Sequence, residues 1–195
     1  MSDHRFRFGV VATPQDGDQW RTTAQRVAEL GYSTLLMPDG LQLLSPFPAL
    51  ATATAAADVR VGTFVLAAPL RPPRSAAWEA HSLTVLTGGR FEFGIGTGLP
   101  HAITQAAQEF GLPLRSGAER LAAVSEAIDH LHALDGDTHT PVLMAAGGPR
   151  ARALAAEKAD TVTSPTRWPL APNSPRWSPT SARTPGTAQA ALSSR

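Results

Sequence analysis

With 195 residues, 43% of them hydrophobic and 17% charged, the chain is long enough for one domain with a substantial buried core. It contains no cysteine, which excludes disulfides, thiolate metal sites and a cysteine nucleophile, and no apolar run approaches the roughly 20 residues of a membrane span, so no membrane partner and a cytoplasmic location are expected. The formal net charge of +1 is uneven: Arg167, Arg176, Arg183 and Arg195 follow Thr163 with no acidic residue among them, so the rest of the chain is slightly acidic and nucleic acid is not an expected partner.

From Phe6 to Thr163 short apolar runs alternate with amphipathic segments, as in parallel strands joined by helical crossovers. The first strand is expected over Phe6 to Ala12. A helix follows in which Trp20, Ala24, Val27, Ala28 and Leu30 recur at helical spacing, with Asp16 or Asp18 as cap and Gly31 at the carboxyl end. After a strand at Thr34 to Pro38, Ser45 and Pro46 open a second helix with Phe47, Leu50, Ala51 and Thr54 as its inner stripe. A strand at Val61 to Leu66 precedes a helix that follows Pro73 and stops at Gly88 and Gly89. The strand Phe91 to Ile95 comes next, and a helix opens at Ser116, where Glu119 completes a capping box and Leu121, Val124, Ile128 and Leu131 face inward. Strands at Val142 to Ala145 and Thr161 to Thr163 end the pattern. Six strands with intervening helices fit either a doubly wound sheet or most of a closed barrel, and periodicity does not choose between them.

Beyond Thr163 six of the 17 prolines, with many Ser, Thr and Ala, leave no apolar periodicity. The expected division is a folded unit over 1–163 and a Pro/Ser/Arg-rich tail over 164–195 that cannot bury enough surface to offset its ordering entropy.

Parallel α/β folds bind ligands where strands end. Asp39-Gly40 follows the second strand, where the aspartate is either a carboxylate at the mouth of a barrel or an ordinary turn residue. Gly62 permits close approach by a flat ligand or marks a bulge, and the bulge is the expectation from local sequence. The run Gly94-Ile95-Gly96-Thr97-Gly98 leaves backbone amides accessible but lacks a dinucleotide fingerprint's spacing. Ala145-Ala146-Gly147-Gly148-Pro149-Arg150 is a strand entering a glycine turn with Pro149 at the first helical position; its amides suit a phosphate, with Arg150 or Arg152 for charge, or simply close a tight turn. His101, after the strand-end glycines, is placed to face a ligand or is a solvated loop residue, and the solvated loop is the expectation from local sequence. No nucleophile and base are spaced as a known motif, and no histidine-carboxylate cluster suggests a metal, so an enzyme built this way leans on a cofactor.

The runs Leu70-Arg71-Pro72-Pro73, Ala80-His81-Ser82-Leu83, Leu86-Thr87-Gly88-Gly89-Arg90-Phe91, Gly94-Ile95-Gly96-Thr97-Gly98, Glu109-Phe110-Gly111-Leu112-Pro113 and Pro141 to Arg150 resemble the luciferase-like monooxygenase family, most closely members that depend on coenzyme F-420. The resemblance covers essentially Phe6 to Thr163. It implies an α/β fold of the (β/α)8 TIM-barrel type that binds FMN or the deazaflavin F-420 at the carboxyl-end mouth, with hydride or oxygen chemistry at the ring on a small-molecule substrate. By matched position it implies a non-prolyl cis peptide at Phe64-Val65, with Asp39, Gly96, Thr97 and Gly98 near the ring and Gly147, Gly148 and Arg150 receiving the phosphate. The chain departs from the family at Gly40 and Pro72, where many relatives have histidine, so the resemblance implies no proton donor there. Barrels of this class need about 250 residues, so an incomplete barrel of about six βα units is expected, by truncation or by a changed reading frame after Thr163. Open strand edges would then favour aggregation or a homodimer, and the alternative to an oxidoreductase is a noncatalytic remnant that binds flavin weakly or not at all.

Overall fold

The computed structural model describes residues 6–164, so of the tail expected over 164–195 only Ser164 falls among the described residues. In chain order the elements are β1 (Gly9–Val11), α1 (Gly17–Glu29), β2 (Thr34–Met37), α2 (Pro46–Ala56), β3 (Arg60–Thr63), β4 (Leu66–Ala67), a 3-10 turn (Ala68–Leu70), α3 (Pro73–Leu86), β5 (Phe91–Gly96), α4 (Pro100–Glu109), α5 (Gly117–Asp135), β6 (Val142–Ala145), α6 (Pro149–Lys158) and β7 (Thr161–Thr163).

The helix boundaries follow local chemistry. Asp16 caps α1 by accepting from the Gln19 amide at 2.8 Å, and Gly31, at a φ of +76°, closes its end. Ser116 and Glu119 form the reciprocal capping box at the start of α5. Ser45 stands at the cap position of α2 without a side-chain hydrogen bond, and Pro46 opens that helix as expected. Its buried residues are Pro46, Phe47, Ala49, Leu50 and Ala53, while Ala51 packs against the core and Thr54 is half-buried. Leu30 is not inward: it caps α1 and is exposed.

All strand pairs are parallel, and the order β1-β2-β3-β5-β6-β7 is sequential, with β4 on β5. A doubly wound sheet requires the order to reverse about its first strand, so this topology is that of an α/β half-barrel. The strand expected over Val61 to Leu66 is divided: β3 and β4 are one path interrupted at Phe64 and Val65, where the Phe64 amide reaches back to the Met37 carbonyl at 2.8 Å.

Side chains alternate across each strand. Leu35, Met37, Val61, Phe91, Phe93, Ile95, Val142 and Met144 turn outward and are buried against Trp20, Leu50, Ala77, Leu83, Val124, Ile128 and Leu131 of the helices. Each large side chain contributes about 1.5–3 kcal/mol of burial. The inner face, by contrast, carries glycines where strands approach closely. A Cβ on Gly94 would stand 1.8 Å from the Thr63 carbonyl oxygen, and one on Gly62 would stand 2.9 Å from that of Glu92. Gly62 therefore serves close strand packing, while the bulge lies two residues later.

At the amino ends of the strands, the inner face holds Glu92, which accepts from Arg7 Nη1 at 2.8 Å and Arg60 Nε at 2.9 Å. On the helix side, Asp135 pairs with His81 Nδ1 at 2.7 Å and accepts the Thr140 amide at 2.9 Å, joining the end of α5 to α3 and to the approach to β6. These polar clusters hold the end opposite the loops that carry the site. Among the described residues no helix is long and apolar enough to cross a membrane.

Candidate active site

The loops after β2, β4 and β5 enclose a cleft of about 730 Å³, within the size range of small-molecule sites. Asp39, Phe64, Val65 and Gly98 line it, together with Leu41, Leu70 and the face of α4 that carries His101, Gln105 and Glu109.

Asp39 is not a free carboxylate. Its Oδ2 accepts from Arg71 Nη1 at 2.6 Å and from the Ala67 amide at 3.0 Å, while Oδ1 accepts from Arg71 Nη2 at 3.1 Å. Only 5% of the Asp39 side chain is exposed. The bidentate pair ties the loop after β2 to β4 and to the segment after the 3-10 turn, and so shapes the wall of the cleft. Behind it, on α3, burial pushes the Glu79 carboxyl above its ordinary value; the Arg71 guanidinium opposes this and Asp39 adds to it.

The peptide bond between Phe64 and Val65 is cis, at the position that the resemblance implied. The strand-end glycines have distinct reasons. Gly96, the last residue of β5, has the side chains of Val65 and Ala145 where a Cβ would go, at 3.1 and 3.2 Å. Gly98 has a φ of +68°, and a Cβ there would lie 2.3 Å from Ile103 Cδ1. It turns the chain from β5 directly into α4, with Pro100 at the first helical position.

The expected residues do not all meet. Gly96 and Thr97 stand beside the cleft without lining it. Gly147, Gly148 and Arg150 are exposed at the carboxyl end of β6, outside the lining residues. There Gly148 caps α6 without a side chain and Pro149 is its first residue, while Arg152 Nη2 donates to the Gly147 carbonyl at 2.9 Å and so braces the turn itself.

His101 is a correction. It is not in a loop but in the first turn of α4, a helix absent from the expected elements, and it lines the cleft. The signal was present in Pro100 followed by Ile103, Ala106 and Ala107, which are the buried residues of α4, with Gly111 after its end.

Parallel strands in sequential order, crossover helices on their outer side and a cleft at their carboxyl ends define a protein of the (β/α)-barrel class, with the cleft at the end of the strands where that class binds ligands. The chain belongs to the luciferase-like monooxygenase family, whose model matches residues 4–172. Solved structures of similar fold include the coenzyme F-420-dependent tetrahydromethanopterin reductase of Methanopyrus kandleri, at 19% identity and a TM-score of 0.67 over 81% of this chain and 55% of that one. The EDTA monooxygenase of Chelativorans sp. BNC1 gives 13% identity and a TM-score of 0.70 over 83% of this chain and 56% of that one. The oxygenating constituent of the 3,6-diketocamphane monooxygenase of Pseudomonas putida, a structure in complex with FMN, gives 13% identity and a TM-score of 0.61 over 82% and 57%. The chain thus spans a little over half the length of these structures. No curated protein is similar enough in sequence to match.

Proposed function

We propose that the chain forms the ring-binding part of an oxidoreductase site that takes reduced FMN or coenzyme F-420 and acts on a small organic substrate. The observation that carries this reading is the cleft of about 730 Å³ at the carboxyl ends of β2, β4 and β5 in a member of this family. Its residues fit a flat heteroaromatic group. Phe64, Val65, Leu41 and Leu70 offer apolar surface, and Gly98 lets the chain turn closely against Ile103 where β5 meets α4. When bound, such a ring supplies two-electron transfer, by hydride donation or by reaction with oxygen.

The chain's own residues would bind and orient. Phe64 and Val65 provide the surface against which the ring lies, while Asp39 acts from behind, through Arg71 and the Ala67 amide, to hold that surface in place. Gly147 and Gly148, at the start of α6 where no side chain bonds the first amides, and Arg150 beside them are proposed to receive the phosphate end, where helix amides and a guanidinium favour an anion. The similarity of fold to an F-420-dependent reductase and to a monooxygenase in complex with FMN supports both ring types equally.

Fluorescence titration of the 195-residue chain with FMN and with F-420 tests the reading; saturable binding of at least one is expected, and binding of neither overturns it. The phosphate assignment has its own test. Because Arg150 is exposed, Arg150→Ala should weaken FMN binding by only about five-fold, on the order of 1 kcal/mol, and leave riboflavin, which lacks the phosphate, unchanged. Equal losses for FMN and riboflavin would remove Arg150 from the site.

A further inference from the structure

Three titratable side chains line the cleft: Asp39, His101 and Glu109. Two are already engaged. Both oxygens of Asp39 are taken by Arg71, and one also by the Ala67 amide. Glu109, the last residue of α4, accepts from Gln105 Nε2 at 3.0 Å. His101 forms no side-chain hydrogen bond with any described residue, although it is held at a defined place. Ile103, Ala106 and Ala107 are the buried residues that anchor α4, Ile103 and Ala106 also reaching the cleft wall, and the Gly98 turn packs directly on Ile103. The other described histidines are placed differently: His81 pairs with Asp135, His139 with Asp160, and His130 and His132 lie on α5 outside the lining.

We infer that His101 is the side chain through which this chain hydrogen-bonds to, and exchanges a proton with, the ring or substrate held in the cleft. The inference rests on the function proposed above and names the residue that the resemblance does not supply. A neutral imidazole donates from one ring nitrogen and accepts at the other, so it can meet a ring carbonyl, a ring nitrogen or a substrate oxygen without a second side chain. A proton released or taken up there moves to or from an imidazole nitrogen. Because His101 is exposed at the cleft, the imidazole then regains its protonation state by exchange with water.

Carbethoxylation by diethyl pyrocarbonate, mapped by peptide mass spectrometry on the wild-type chain, tests the placement. With saturating FMN or F-420, whichever binds, modification of His101 should fall several-fold while His130, His132 and His139 react as before. Calorimetric titration in buffers of different ionisation enthalpy tests the proton exchange. The wild type should bind with a net proton uptake or release that His101→Gln abolishes, the variant losing roughly five-fold in affinity, as for one hydrogen bond. Saturable binding with His101 as reactive as in the free protein, or with an unchanged proton count in His101→Gln, overturns the inference and leaves the proposed function standing. Failure of the wild type to bind either FMN or F-420 overturns both.

Discussion

Glu79 shows how a single residue near the cleft couples stability to pH. Its carboxyl is held above the ordinary value chiefly by burial, so the folded state binds a proton more tightly than the unfolded chain does. Protonated Glu79 is therefore the better-tolerated form, and its contribution is fully favourable below the unfolded value of 4.5 and is lost as pH rises through the folded one. Glu79→Gln, which stays neutral, should melt slightly higher than the wild type at pH 7, by less than about 1 kcal/mol because the group is partly solvated. The difference should close as the pH falls below 4.5; a Gln variant that is less stable at pH 7 would show that its attraction to Arg71 outweighs burial. Asp39 teaches the complementary point. The aspartate after β2 was visible in sequence, but whether it faces ligand or protein was decided by Arg71, 32 residues away.

At the scale of elements, helix ends were legible because their determinants are local. Ser116 and Glu119 lie three residues apart and satisfy each other's backbone amides, so the start of α5 could be read directly. Ser116→Ala should cost about 1 kcal/mol in urea denaturation, with an unchanged slope, and loss of the whole fold would mean that the cap does more than end a helix. The start of α4 was no less local, since Pro100 stands there as Pro149 does in α6. The strand-end glycines just before it signal irregular backbone, and this competing local cue masks the helix that carries His101. Apolar content does not by itself mark the buried face: on α3, Trp78 is 64% exposed although Ala77 beside it is buried. A helix turns 100° per residue, so neighbours in sequence face different surroundings.

For the whole molecule, the sequential sheet places β5 at the centre, paired with β3 and β4 on one side and β6 on the other, while β1 and β7 each have one described partner. Protection from hydrogen exchange should therefore peak in β5 and fall toward β1 and β7. Native-state exchange followed by mass spectrometry would show this gradient, and uniform protection across all strands would mean that both outer strands are covered. Val162 on β7 supports the gradient: it is 48% exposed, although its register partner Met144 on β6 is fully buried.

What the amino-acid order determined alone was the alternation of strands and helices, most helix ends, the family, and the position of the glycines at the carboxyl ends of the strands, because these depend on contacts within a few residues or on ordered motifs. Tertiary structure alone decided that the strands pair in sequential order, that Asp39 is held by Arg71, that Gly94 makes room for the Thr63 carbonyl, and that His101 reaches the cleft while Gly147, Gly148 and Arg150 stand apart from it. Each of these is a meeting of residues distant in sequence, set by how strands close on one another, and local periodicity carries no record of such distances.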